Sequence, residues 1–132
     1  MRRRRALLFF AGLAACRDST PPPAVLTLLP AAFRGGSVSG DRLCLSPGQA
    51  VEAEVWVHQA SVTFTVRGNA EQGGSLEAQI GDDARADADA SGEPMEVTFR
   101  LHPRGGNQTL RLRRPAAAPG EICLTQVALT QP

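Results

Sequence analysis

The chain has 132 residues, a formal charge of +1, and hydrophobic side chains at 42% of positions. Four of its fourteen basic residues are Arg2 to Arg5, so residues 16–132 set ten arginines against thirteen acidic groups, a balance of −3. That length supports one domain with a real core and excludes two, and a mild acidic excess excludes the phosphate-backbone binding of a nucleic-acid partner.

The chain begins with a basic segment, Arg2-Arg3-Arg4-Arg5, followed by an apolar run over residues 6–15. That run is too short to cross a bilayer as a helix. It ends in Leu13-Ala14-Ala15-Cys16. A basic start, short apolar core, small residues and cysteine in this order resemble the lipobox of bacterial lipoproteins. The resemblance implies diacylglycerol on the Cys16 sulfur, cleavage before Cys16, palmitate-type acylation of the new amino terminus, and a membrane partner through that anchor. In lipoproteins an aspartate directly after the cysteine often accompanies retention at the inner membrane. Arg17 stands there instead, which implies the cell envelope's outer membrane, on its periplasmic or surface face. Pro21-Pro22-Pro23 favours extended polyproline geometry. The expected organisation is therefore a signal peptide over residues 1–15, a lipidated cysteine and tether over 16–23, and one domain over 24–132.

From residue 24 onward the pattern is that of strands. Val51, Ala53, Val55 and Val57 alternate with polar residues, as do Val62, Phe64 and Val66. Leu76, Ala78 and Ile80 mark a third segment. Ala84, Ala86, Ala88 and Ala90 mark a fourth, with Arg85, Asp87 and Asp89 facing outward. Residues 95–101 and 108–113 bracket a loop carrying Pro103 and Gly105-Gly106, which predicts a hairpin. Residues 121–131 lose strict alternation near Thr125-Gln126, which predicts a β-bulge. Short strands punctuated by glycine and proline predict an all-β, two-sheet antiparallel sandwich.

Once Cys16 is assigned to lipid, Cys44 and Cys123 remain as an even pair in an oxidising compartment. Each sits in a short apolar segment, and a disulfide between them would tie the first core strand to the last. No CxxC or Cys/His cluster is present, so zinc is not expected.

Residues 62–67, a glycine-rich turn, a strand ending Ile80-Gly81, residues 97–101, Gly106-Asn107 before an alternating strand, and a closing strand over 122–129 resemble galactose-binding-like jelly-roll modules, among them carbohydrate-binding modules. The resemblance implies the jelly-roll form of the sandwich and carries no site residues across.

Candidate chemistry is sparse. No nucleophile elbow, zincin helix or nucleotide-binding glycine pattern occurs, and His58 and His102 read as solvated loop residues. No enzyme is expected. Asp87-x-Asp89-x-Ser91-Gly92 matches the start of an EF-hand loop, but Thr98 replaces the closing glutamate and no helices flank it. The expectation there is an exposed strand. Calcium at Asp87 and Asp89, which jelly-roll modules often carry, is the alternative; no other cofactor is expected. Trp56, the lone tryptophan, shares a face with Glu52 and Glu54 and could stack on a sugar ring. The favoured expectation covers it with a neighbouring loop or residues 25–29. Arg100, Arg104, Arg111, Arg113 and Arg114 fall on one predicted hairpin, where pairing with acidic residues 82–89 and Glu96 is expected.

The leading functional expectation is a lipid-anchored, non-catalytic β-sandwich that binds or scaffolds another envelope component, protein or glycan. The alternatives are a calcium-assisted carbohydrate-binding module, and an inhibitor whose loop over residues 102–107, centred on Arg104, enters a hydrolase cleft.

Overall fold

Alternation of apolar and polar side chains produces ten strands among the residues described by a computed structural model, which are 24–58, 61–82 and 84–131. The leader, Cys16 and the tether lie outside the described residues. The strands are β1 (Ala24–Leu28), β2 (Ser37–Ser39), β3 (Arg42–Leu45), β4 (Ala50–Val57), β5 (Val62–Ala70), β6 (Ser75–Ile80), β7 (Ala84–Asp89), β8 (Gly92–Leu101), β9 (Gly106–Arg113) and β10 (Ile122–Gln131). A 3-10 turn, Pro30–Ala32, follows β1. Every strand pair is antiparallel, and the strands form the two sheets of the expected sandwich.

The larger sheet runs β2-β3-β10-β5-β8, and β1 also pairs with β10. One edge of β10 serves β3 with its first half and β1 with its second, while its other edge holds β5. The smaller sheet runs β4-β9-β6-β7. Their inner faces meet in one core. The larger sheet supplies Leu43, Leu45, Phe64, Val66, Met95, Phe99, Ile122 and Leu129, and the smaller supplies Val51, Val55, Leu76, Ile80, Leu110 and Leu112. Phe64 and Phe99 sit directly opposite one another, stacked with centroids 5.1 Å apart, an aromatic cross-strand pair of the stabilising kind.

The predicted bulge is present. Leu124 pairs with Gly68 and Gln126 with Arg67, leaving Thr125 as the extra residue. Its hydroxyl donates to the Arg67 carbonyl at 3.2 Å. The extra residue switches inward parity from Ile122 and Leu124 to Val127 and Leu129, so both halves of β10 face the core. The bulge brings two backbones close at Gly68. A Cβ there would lie 1.9 Å from the Cys123 carbonyl oxygen. Gly68→Ala is therefore expected to lower stability by about 2–3 kcal/mol through overpacking. A urea midpoint equal to that of the parent would show that the backbones can separate freely.

The predicted hairpin over residues 95–113 does not form. β8 pairs with β5 in the larger sheet and β9 with β4 and β6 in the smaller. The connecting residues 102–105 cross from one sheet to the other. Pro103, buried within that crossing, has no amide to continue a ladder.

Candidate functional site

The outward side chains of the smaller sheet form a polar face. Strand register arranges them in rows. Trp56 lies beside Asn107, and Glu54 beside Thr109. The next row reads Glu52, Arg111, Gln79, Arg85, and the following one Ala50, Arg113, Glu77, Asp87. Between β6, β7 and β9 the face dips into a groove of about 260 Å³ lined by Glu77, Ala78, Gln79, Arg85, Arg111 and Arg113. That volume falls just below the range of small-molecule pockets.

Ion pairing across this face is selective. Arg113 Nη1 lies 2.9 Å from Glu77 Oε2. Arg34, bridged to Glu52 through its backbone, reaches over β4 to Glu54 at 3.0 Å and Glu52 at 3.7 Å. The Gln79 amide nitrogen donates to the Gly81 carbonyl at 2.9 Å. On the opposite sheet, Arg67 pairs with Glu96 at 2.7 Å, and the Thr65 and Thr98 hydroxyls bond at 3.1 Å.

Trp56 is not covered, contrary to expectation. Its side chain is 53% exposed at one end of the polar face, edge-on to His58 with centroids 6.4 Å apart. The segment expected to shield it is instead β1, which is drawn into the other sheet by β10. Gln131 holds the Trp56 backbone in place: its amide nitrogen donates to the Trp56 carbonyl at 2.8 Å, and its oxygen accepts from the His58 amide at 2.6 Å. Neither histidine ring has a hydrogen-bond partner among the described residues.

The expected arginine patch is dispersed. Arg100 faces outward from the larger sheet and Arg111 and Arg113 from the smaller. Arg104 lines a separate recess with Ile80, Asp82 and Gln108. Arg114 leaves the surface altogether. It is fully buried, and its guanidinium donates to the carbonyls of Gly120 at 2.8 Å, Ser75 at 2.9 Å and Gly73. Burial pushes its pKa below the ordinary arginine value. Glu96 and Glu77 take arginine partners from neighbouring strands, Arg67 and Arg113. In Arg113's case the residue opposite is Glu77 of β6, because β9 lies beside β6 rather than β8.

Asp87 and Asp89 point outward from β7, an exposed edge strand. An extended strand holds alternate carboxylates about 6–7 Å apart, too far for one ion without a bend. Among the described residues, the one group of three potential metal ligands within mutual reach is Cys44, Glu121 and Cys123. Those two sulfurs are bonded to each other, which removes the thiolates a metal would need. Among the described residues, no three carboxylates lie within mutual reach of one ion.

Beside the disulfide, a second recess is lined by Arg42, Glu71, Glu93 and Glu121. A side-chain hydrogen bond to the Glu71 carboxylate, reinforced by the charge of that group, raises the Glu93 pKa above the ordinary glutamate value. The folded state thus holds this proton more tightly than the unfolded chain. Its contribution to stability is complete below the unfolded pKa and fades as pH rises through the folded one. Glu93→Gln, which keeps an uncharged group beside Glu71, is expected to raise the melting temperature more at about pH 7 than at about pH 4. An equal change at both would place the coupling elsewhere.

Sequence reasoning named Trp56 on this face but missed Gln79, Arg85 and Arg111 as one row. Period-two alternation marks each as outward, yet nothing local reveals that β9 lies between β4 and β6.

No protein-family model and no curated protein matches the chain. Solved structures do. The CBM36-1 domain of a multidomain xylanase from the hindgut metagenome of Trinervitermes trinervoides is similar over 80% of this chain and 96% of that one, at 16% identity and a TM-score of 0.63. A carbohydrate-binding module CBM36 in complex with calcium and xylotriose is similar over 77% and 97%, at 12% identity and a TM-score of 0.65. A family two carbohydrate esterase from Cellvibrio japonicus is similar over 83% of this chain but only 34% of its own length, at 15% identity and a TM-score of 0.58. At these identities the likeness is one of fold: the jelly-roll sandwich found in carbohydrate-binding modules.

Proposed function

We propose that this chain is an exported, lipid-anchored protein whose domain is a non-catalytic carbohydrate-binding module. The glycan lies along the outer face of β4-β9-β6-β7. The observation that carries this reading is Trp56, an aromatic ring 53% exposed on a face otherwise built of amide, hydroxyl and ionic groups. A flat apolar ring beside hydrogen-bonding side chains suits a sugar, which offers C–H faces and hydroxyl edges. Similarity to a module solved with calcium and xylotriose supports it. Export draws support from the Cys44–Cys123 disulfide, a bond that persists in oxidising compartments. The envelope-binding expectation is kept, with a glycan as the component bound. Residues 102–105 connect the two sheets around buried Pro103, an arrangement that favours the glycan reading over the inhibitor alternative.

Trp56 is the only tryptophan, so its fluorescence reports binding directly. Titrating the oxidised protein with xylo- and manno-oligosaccharides, and with oligouronates, is expected to shift its emission. Trp56→Ala is expected to weaken binding about tenfold in calorimetry. Calcium or chelator is expected to leave both affinity and melting temperature unchanged. A calcium-dependent gain lost in Asp87→Ala would favour the calcium-assisted alternative, and silence toward every glycan would remove the reading.

A further inference from the structure

We infer that the groove between β6, β7 and β9 selects a saccharide chain bearing carboxylates, through Arg85 and Arg111. This rests on the glycan-binding reading above and specifies its ligand. Arg111, Gln79 and Arg85 occupy one row across three adjacent strands, all facing outward into the groove. Arg111 would ordinarily pair with Glu52, its partner in register on β4. Arg34 has taken that carboxylate, together with Glu54. Arg113 is likewise engaged by Glu77. Arg85 shares its face with Asp87, two residues along β7, but the two form no ion pair. Among the described residues, Arg85 and Arg111 therefore line the groove without an ionic partner.

A guanidinium presents a planar fork of donors that matches a carboxylate in two-pronged fashion. The two forks start two strands apart, about 9–10 Å by strand spacing. That separation suits a chain carrying single charges at intervals. A compact phosphate dianion would need both arginines to converge on one point, against the carboxylates of Glu77 and Asp87 in the next row. Gln79, its amide nitrogen committed to Gly81, offers its oxygen to a sugar hydroxyl between the two charges. Trp56 lies on the same face, two strands from Gln79 and beyond Glu54.

The test compares a linear oligouronate, its methyl ester and a phosphorylated oligosaccharide of similar length, binding to the full oxidised chain by calorimetry. The acid is expected to bind at least about tenfold more tightly than the ester, a preference that declines with salt. Arg85→Gln and Arg111→Gln are each expected to reduce the preference, and the double variant to erase it while melting temperature holds. Arg67→Gln, on the opposite sheet, serves as control and is expected to retain it. Ester and acid binding equally, both weakened by Trp56→Ala, would overturn this inference and leave the glycan reading standing. Preference for the phosphorylated sugar, or a preference that survives the double variant, would also overturn it. Absence of binding to these and to neutral xylo- and manno-oligosaccharides would remove both.

Discussion

Replacing Arg114 with methionine is expected to destabilise the domain by about 3 kcal/mol, with a melting temperature lower by roughly 10–15 °C. The reason is positional. The Arg114 side chain is 0% exposed and faces no carboxylate, and its guanidinium is satisfied by three backbone carbonyls instead. Two of these, Gly73 and Ser75, flank the passage from β5 to β6, and Gly120 precedes β10. Its own backbone bonds Gln49 at 2.9 Å and Gly48 at 2.7 Å, between β3 and β4. One residue therefore ties three connections together at one end of the sandwich. Methionine fills similar volume but strands those carbonyls, each worth about 1–3 kcal/mol when left unpaired, an amount reduced where water can enter. Lysine, with a single flexible ammonium in place of the fork, is expected to recover only part of the loss. Denaturant unfolding of both variants checks this. A methionine variant within about 0.5 kcal/mol of the parent would mean that the loops do not depend on the charge.

Removing the disulfide is expected to have the larger effect. Cys44 and Cys123 are directly opposite residues of β3 and β10, bonded across 79 positions of sequence. Closing a loop of that size in the unfolded chain corresponds to about 4–5 kcal/mol in the chain-entropy account. Small domains hold only about 5–15 kcal/mol in total. The bond lies on the outer side of its sheet, because Leu43, Leu45, Ile122 and Leu124 take the inward positions. The double variant Cys44→Ala/Cys123→Ala should therefore keep its core contacts yet unfold at much lower denaturant. The loss is expected to begin at β2 and β3, because β3 meets β10 through only three residue pairs. Hydrogen exchange locates that opening. Equal stability in the oxidised parent and the double variant would contradict the assignment.

Strand identity was legible in this chain because burial imposes a period of two. Residues 51–57, 62–67 and 97–101 needed no tertiary information, and the broken alternation at Thr125 exposed the bulge. Order within the sheets was not legible. Pro103 and Gly105-Gly106 fit a hairpin turn equally well as a crossing between sheets, and the choice lies in tertiary pairing: β8 runs alongside β5, with Phe99 stacked on Phe64. The same gap hid the groove, since Gln79, Arg85 and Arg111 come from separate strands and each alone reads as a solvated polar residue. Arg114 was legible in principle. Extending the alternation of Leu110 and Leu112 by one step turns it inward, but an arginine between an arginine and a proline reads as surface. Trp56 was misjudged because the coverage expected from residues 25–29 depended on which sheet claimed them.

The central claim is that a glycan occupies the outer face of the four-stranded sheet. Backbone and indole NMR shifts of the oxidised protein, followed during separate titrations with a xylo-oligosaccharide and an oligouronate, test it most directly. Perturbations clustered at Trp56, Gln79, Arg85, Thr109 and Arg111 are the expected result. Shifts confined to Thr65, Arg67 and Thr98 on the opposite sheet, or a spectrum indifferent to both sugars, would contradict it.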